Sequence, residues 1–288
     1  MQKTLAPGAI GVKGLTLAET IDLAAASGFD SIVFDIREAE RLADADGVDA
    51  VRSLFARAGV QPGYWGLPVA WRDDEKSAAD LEALPKRAAL ARDLGCTRVT
   101  TGVMPGSNDL TFDENYAFVV ERLRPPAQIL ADAGCRLGIE FIAPKTLRST
   151  FKHEFIYNLP QTMELATTIG TGNVGLLLDA WHLYTSHGTN ADIEGVSADD
   201  VVVVHVNDAP PGIPIDEQQD LVRALPLETG VLDIVGFMHA LQRIGYDGPV
   251  MPEPFSKRLE ELGASDPLAA AREAGRSMDA LWMAAGLG

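Results

Sequence analysis

Eight short apolar runs, each followed by a segment with helical periodicity, recur from one end of the chain to the other. This alternation is typical of a parallel sheet, because parallel neighbours need a crossover helix between them. Eight such units in 288 residues predict one closed (β/α)8 TIM barrel, an α/β fold, spanning residues 1–288 as a single domain. The runs interpreted as strands are Gly8–Val12, Ser31–Asp35, Gln61–Leu67, Arg98–Val103, Arg136–Ile142, Val174–Asp179, Val201–Asp208 and Pro249–Pro254.

Local signals support this reading of the strand–helix boundaries. Thr16 and Glu19 have the spacing of a capping box at a helix start, and Gly28 can end that helix. An open doubly wound sheet is the alternative, and it usually carries a Gly-rich nucleotide turn after its first strand. The turn here contains Gly11 and Gly14 but does not match G-x-G-x-x-G, which favours the closed barrel.

Composition excludes several classes of partner. The formal net charge is -17 and the isoelectric point lies near 4.6. Such a chain repels nucleic acid and anionic membrane surfaces, so neither is an expected partner. No secretory apolar region follows the first residues, and no apolar stretch approaches the roughly 20 residues of a membrane span. The sequence predicts a cytoplasmic protein that binds small molecules and leaves a homo-oligomer open.

Four ionisable residues interrupt the last four apolar runs near their carboxyl ends. They are Glu140, Asp179, His205 and Glu253. The carboxyl ends of barrel strands meet at one face, where barrel active sites lie. Three carboxylates converging there would repel one another unless a cation joined them. The pattern predicts one divalent metal ion, and oxygen-rich ligands with one imidazole favour Mn²⁺, with Mg²⁺, Co²⁺ or Zn²⁺ as alternatives.

Each of these residues also has an ordinary structural interpretation. Glu140 could pair with Arg136 or Lys145, and Asp179 could cap the next helix. His205 could be a hydrogen-bonded core histidine, and Glu253 a simple ion-pair partner. The metal hypothesis therefore depends on the four acting together.

The motifs around these residues resemble the xylose isomerase-like barrel superfamily. They are Gly138-Ile-Glu140, Leu178-Asp-Ala-Trp-His182, His205-Val-Asn-Asp208 and Pro252-Glu-Pro-Phe255. The branch they resemble is the sugar phosphate isomerase/epimerase group, which includes ketose 3-epimerases, hydroxypyruvate isomerases and inosose dehydratases. The resemblance covers nearly the whole chain and is strongest from residue 136 to residue 255.

The resemblance implies roles for individual residues. Glu140, Asp179, His205 and Glu253 would bind the metal, and the two glutamates would also act as acid and base. His182 would contact substrate as part of an Asp-x-x-His pair. Arg223 resembles the family's lid arginine, although the usual Pro-Gly-Glu-Gly beside it is degenerate here.

The implied chemistry is isomerisation or epimerisation of a keto-sugar or related polyol through an enediolate. A dehydratase or lyase acting on a cyclic or oxidised sugar, as in inosose dehydratases, is one alternative. A non-catalytic sugar-binding barrel is the other, and the intact glutamate pair argues against it. Related metal-dependent apurinic endonucleases need early histidines that this chain lacks before His153.

Further binding residues follow from their positions beside the predicted mouth. Lys145 lies just past the fifth run and could reach a ligand, and Trp181 could wall a sugar pocket. Two long connections, residues 143–159 and 209–230, follow the fifth and seventh runs. Long connections in compact domains often form lids, so we expect both to border the site.

Overall fold

A closed barrel of eight parallel strands forms the centre of the protein, in a computed structural model that describes residues 1–288. In chain order the strands are β1 Gln2–Leu5, β2 Ser31–Val33, β3 Gln61–Gly66, β4 Arg98–Val103, β5 Arg136–Phe141, β6 Val174–Asp179, β7 Val201–Val206 and β8 Pro249–Pro252. Each strand pairs with its neighbour in sequence, and β1 also pairs with β8 to close the ring. The predicted fold class, a (β/α)8 TIM barrel, is confirmed.

Helices surround the barrel and connect its strands. They are α1 Leu17–Ala26, α2 Ile36–Asp46, α3 Val48–Ala58, α4 Asp74–Asp93, α5 Phe112–Asp132, α6 Lys145–Arg148, α7 Leu159–Ile169, α8 Ala180–Thr185, α9 Asn190–Ile193, α10 Ile234–Ile244, α11 Lys257–Ser265 and α12 Pro267–Ala284. The capping box of Thr16 and Glu19 is present at the start of α1, as predicted. None of the helices is both long and apolar enough to cross a membrane.

The prediction of the first strand was wrong. The run Gly8–Val12 is not a strand, and Pro7–Ile10 forms a 3-10 helix instead. Proline fixes φ and lacks an N–H, so it suits the first turn of such a helix. The true β1 is the more polar Gln2–Leu5, whose pairing with β2 and β8 supplies its backbone hydrogen bonds.

Strand ends differ slightly from the predicted runs in ways that concern the site. Asp35 caps α2 instead of ending β2. The seventh strand stops at Val206, so Asn207 and Asp208 begin the connection above it. Within the 143–159 connection, His153 and Glu154 form a short strand antiparallel to Gly106–Ser107, outside the barrel.

The lower part of the barrel interior is filled by small or polar side chains. Thr4 and Ser31 share a 2.8 Å hydrogen bond there. A Cβ on Gly63 would lie 3.0 Å from the Ser31 hydroxyl, so a larger residue there would require its neighbours to shift. A small cluster of buried residues completes the interior: Ala9, Tyr64, Leu177, Val202, Val203 and Met251. The charged strand ends lie near this layer at the mouth of the barrel.

Candidate metal centre and active site

The last four strands bring the four predicted ligands together. Glu140 is in β5, Asp179 ends β6, His205 is in β7, and Glu253 directly follows β8. Asp179 lies opposite His205 in the strand register, and the Glu253 amide donates to the Val206 carbonyl. One ligand atom from each of the four lies within 4.8 Å of the others. The convergence follows from the parallel register of these strands.

His205 Nδ1 lies among the carboxylates. It is 3.5 Å from Glu253 Oε1, 3.7 Å from Glu140 Oε1 and 4.0 Å from Asp179 Oδ2. The atom is buried and has no hydrogen-bond partner. A buried nitrogen without a partner is costly. A divalent cation among these four side chains would satisfy it and offset the carboxylate repulsion, so the residues fit such an ion.

Burial and mutual repulsion perturb the acids strongly. Burial and the nearby Glu253 carboxylate raise the pKa of Glu140 to about 8. Burial opposes a charge on His205, but Glu253, Glu140 and Asp179 outweigh it and raise the pKa of His205 to about 9. Burial also opposes the charge of Asp179, yet the Arg223 guanidinium holds the pKa of Asp179 below its usual range. These carboxyl groups therefore compete for the few cationic groups around them.

Asp179 has two functions in the fold. Its Oδ1 caps α8 by accepting from the Trp181 amide at 2.8 Å. The same oxygen accepts from Asn207 Nδ2 at 2.9 Å. Because Oδ1 is held in this way, Oδ2 faces His205 and Arg223. The capping alternative is thus correct, and the same carboxylate also faces the converging side chains. Sequence reasoning did not identify Asn207.

Arg223 reaches into the site from the 209–230 connection. Its Nη1 donates to Asp179 Oδ2 at 2.6 Å and to Glu253 Oε2 at 2.7 Å. Only 2% of its side chain is exposed. The guanidinium also lies over the rings of Trp181 and Phe255, at 5.4 and 5.0 Å from their centroids. Arg223 is therefore part of the carboxylate cluster in this structure.

His182 is buried beside the same group. Its Nδ1 lies 3.2 Å from the Ala143 amide nitrogen, and its Nε2 lies 3.2 Å from Arg223 Nη2. Burial lowers the pKa of His182 to about 3, which keeps the ring neutral near pH 7. Nε2 lies 3.8 Å from Asp179 Oδ2 and 3.9 Å from Glu140 Oε1. His182 Nε2 thus lies beside Arg223 and two acids of the cluster.

Of the two other predicted binding residues, one lies at the surface and one is buried against Arg223. Lys145 begins α6 at the protein surface, where its ammonium pairs with Asp216 at 2.7 Å. Trp181 is fully buried and packs against Arg223. Arg136 pairs with Asp199 at 3.8 Å, so neither Arg136 nor Lys145 is paired with Glu140.

A cavity of about 440 Å³ opens above the cluster. Glu140, His205 and Glu253 line it, whereas Asp179 does not. A Cβ on Gly102 would lie 3.7 Å from Glu140 Oε2, so the glycine keeps that side of the acid open. The other lining residues come mainly from the loop after β1 and from β3 and β4: Ala6, Gly8, Ala9, Tyr64, Thr100, Thr101, Leu177, Met251 and Phe255.

Asp208 holds the connection that carries Arg223. The buried carboxylate accepts the backbone N–H of Ala209. It also accepts those of four consecutive residues at the far end of the connection and just past it: Thr229, Gly230, Val231 and Leu232. The backbone of Asp208 also pairs with Ala224, next to Arg223. Sequence reasoning used Asp208 only as part of a motif and did not assign it this role.

The chain belongs to the xylose isomerase-like TIM barrel family, whose model matches residues 21–281. A solved structure of a xylose isomerase domain protein from Alicyclobacillus acidocaldarius is similar, with 28% identity and a TM-score of 0.86. The similarity covers 99% of both chains. The resemblance inferred from the motifs is confirmed.

Related proteins differ in the reaction they carry out. An inosose isomerase of Bacillus licheniformis is 22% identical over 70% of this chain and 69% of its own length. A 3-dehydroshikimate dehydratase of Pseudomonas aeruginosa is 26% identical over 89% of this chain, which spans only 38% of that protein. An L-ribulose-5-phosphate 3-epimerase of Shigella boydii is 24% identical over 91% of this chain and 88% of its own length. The relatives are isomerases, epimerases and dehydratases of small polyhydroxylated compounds.

One structural neighbour contains a metal. The IOLI protein with a bound zinc atom shares 18% identity and a TM-score of 0.77, over 99% of this chain and 98% of its own. At this identity the likeness concerns the fold.

Proposed function

We propose that the protein is a divalent-metal-dependent isomerase or epimerase that acts on a keto-sugar or related polyol through an enediolate. The observation that carries the proposal is the convergence of Glu140, Asp179, His205 and Glu253 around an unpartnered His205 Nδ1. The family supports this class of chemistry, since several relatives are sugar isomerases and epimerases.

The four converging side chains would hold one metal ion. Three carboxylate oxygens and one imidazole nitrogen suit Mn²⁺ best among the candidates, with Mg²⁺, Co²⁺ and Zn²⁺ as alternatives. When bound, the ion would supply Lewis-acid polarisation of neighbouring carbonyl and hydroxyl oxygens of the substrate.

Glu140 and Glu253 would move the proton. Both line the cavity, and both approach His205 Nδ1 within 3.7 Å, from β5 and from the end of β8. One carboxylate takes the proton from the carbon beside the carbonyl, and the C–H electron pair forms the enediolate. The other carboxyl group returns a proton to the opposite face of that carbon, which gives an epimer. Return to the neighbouring carbon gives an isomer.

The remaining residues would bind the substrate. His182 Nε2 and the Arg223 guanidinium lie beside the acids and would form hydrogen bonds with substrate oxygens. We propose that Trp181 acts through Arg223, against which it packs. Lys145 would act only at the rim, where Asp216 holds it. A cavity of about 440 Å³ suits a small sugar or cyclitol as the partner.

Dehydration is the second candidate. The 3-dehydroshikimate dehydratase matches 89% of this chain, which supports a lyase as the second candidate function. The same enediolate gives dehydration if a hydroxide leaves the adjacent carbon and takes up a proton to become water. Product analysis separates the two, because only the lyase releases water.

Proton exchange tests both candidates. Protein reconstituted with Mn²⁺ would be incubated in D₂O with ketoses, hydroxypyruvate, inososes and 3-dehydroshikimate, and followed by NMR. We expect deuterium at the carbon beside a carbonyl, dependent on metal and lost in Glu253→Gln. The matched control is Glu121→Gln, an exposed glutamate on α5. Exchange that persists without metal or in Glu253→Gln contradicts the proposal.

A further inference from the structure

Tyr64 contacts the candidate metal centre from the opposite side of the barrel. It is in β3, and its hydroxyl lies 2.8 Å from Nε2 of His205 in β7. The two rings are 6.0 Å apart with an interplanar angle of 38°. Tyr64 is only 4% exposed, and its hydroxyl has this single hydrogen bond. We infer that Tyr64 is a positioning residue that fixes the tautomer and direction of the His205 ring for metal binding.

The inference follows from the two nitrogens of one ring. Nδ1 faces the three carboxylates and has no hydrogen-bond partner. A neutral imidazole can bind a metal only through an unprotonated nitrogen, so the ring proton must then be on Nε2. Nε2–H needs an acceptor in this buried place, and the Tyr64 oxygen is the atom within reach. The phenol therefore stabilises the tautomer that leaves Nδ1 free.

The hydrogen-bond partner of a metal-binding histidine usually affects the affinity for the metal. A histidine ligand whose second nitrogen is hydrogen-bonded is held in orientation, and loss of the partner typically weakens metal binding about 10–100-fold. His205 has no other restraint on Nε2 among the hydrogen bonds of the structure. We expect the tyrosine to act through His205, since its hydroxyl has no other hydrogen-bond partner in the structure.

A second buried tyrosine gives a matched control. Tyr246 is also 4% exposed, and its hydroxyl donates to the Pro249 carbonyl at 2.8 Å. Its ring lies near Arg98 at the start of β4, at the opposite end of the barrel from the candidate site. Tyr246→Phe removes one buried phenol hydroxyl, as Tyr64→Phe does, without touching His205.

Calorimetric titration with Mn²⁺ tests the inference, with thermal unfolding measured on each variant. Tyr64→Phe should bind Mn²⁺ at least about 10-fold more weakly than the parent protein. Tyr246→Phe should bind Mn²⁺ with an affinity within about twofold of the parent protein's. This should hold even where its melting temperature falls as far as that of Tyr64→Phe. Equal Mn²⁺ affinity in the parent protein and Tyr64→Phe would overturn the inference, as would an equal loss in Tyr246→Phe.

A measurement on the parent protein covers the case in which Tyr64→Phe does not fold. In the Zn²⁺-loaded, ¹⁵N-histidine-labelled protein, His205 should show a slowly exchanging Nε2–H and an unprotonated Nδ1 by NMR. A proton on Nδ1, or a rapidly exchanging Nε2–H, would overturn the inference. The inference rests on the metal site of the proposed function but not on turnover. Absence of Mn²⁺ binding to the parent protein would refute the proposed function itself, whereas unequal results among the variants concern Tyr64 alone.

Discussion

Arg223 is a buried cation shared by two acids of the candidate metal centre. It donates to Asp179 and Glu253 at 2.6 and 2.7 Å. Its removal leaves buried carboxylates without this counter-charge, which typically costs about 3–5 kcal/mol. We expect Arg223→Gln to lower the free energy of unfolding by about that amount in EDTA. With Mn²⁺ present the loss should be smaller, because a bound cation compensates the same acids.

Urea unfolding with and without Mn²⁺ measures both values for Arg223. The matched control is Arg243→Gln, which breaks an ion pair with Glu194 in which both side chains are about half exposed. Exposed pairs contribute about 0–1 kcal/mol, so this variant should unfold almost as the parent does. A loss in Arg223→Gln that is as small as the control's, or is the same with and without Mn²⁺, contradicts this account.

The connection between β7 and α10 depends on one carboxylate. Asp208 accepts N–H groups from both ends of a turn that runs from Thr229 to Leu232. In Asp208→Asn, an amide N–H₂ group would replace one of the two carboxylate oxygens that accept these N–H groups. Hydrogen bonds to a charged acceptor are worth about 1.5–3 kcal/mol each, so their loss should loosen the turn. We expect faster amide exchange across residues 224–232 and weaker Mn²⁺ binding, since Arg223 loses its placement.

Hydrogen-exchange mass spectrometry tests this role of Asp208. Asp233→Asn is the control, because that aspartate caps α10 next to the same connection without holding it. Because Asn caps a helix about as well as Asp, this change should cost less than about 1 kcal/mol and leave the exchange of residues 224–232 largely unaltered. Equal exchange in Asp208→Asn and the parent protein would show that other contacts hold the turn.

The crossing of the first 3-10 helix with α11 requires a glycine. Gly11 has φ of 78°, and a Cβ there would lie 2.3 Å from the Glu260 Cα. Gly28 has a similar φ of 80° but nothing within 4 Å of an added Cβ. Gly28→Ala should therefore lower the free energy of unfolding only by the cost of a left-handed backbone at a non-glycine residue, about 1–2 kcal/mol. Gly11→Ala should lower the free energy of unfolding, measured in urea, by clearly more than Gly28→Ala. Equal decreases in the two variants would mean that α11 moves away from residue 11 at little cost.

At the scale of the whole molecule, the sequence predicted most of the barrel because seven of its strands are apolar runs. β1 was missed since Gln2, Lys3 and Thr4 lack that signal. Lys3 pairs with Asp279, and Gln2 pairs with Pro249 of β8. These partners are far away in sequence, so local periodicity cannot reveal them.

The candidate site also combines residues that a local sequence signal reveals with residues whose partners are distant in sequence. Carboxylates within apolar strands stand out, because a buried charge is rarely tolerated without a function. Tyr64 and Asn207 do not stand out, since tyrosine in a strand and asparagine in a loop are ordinary residues. Their partners, His205 and Asp179, are set by the register of strands across the barrel. The convergence of these charged residues could thus be predicted, and the groups that form hydrogen bonds with them could not.

The candidate metal centre joins the last four strands, so metal binding should stabilise the whole barrel. A ligand at 100 times its Kd that binds only the folded state adds about 2.7 kcal/mol. For a chain of this size that corresponds to a rise in melting temperature of about 5 °C or more. Calorimetry should show this rise with Mn²⁺, its reversal by EDTA, and its loss in Glu253→Gln. Glu121→Gln should keep it, and an equal rise in Glu253→Gln would place the stabilising ion at some other site.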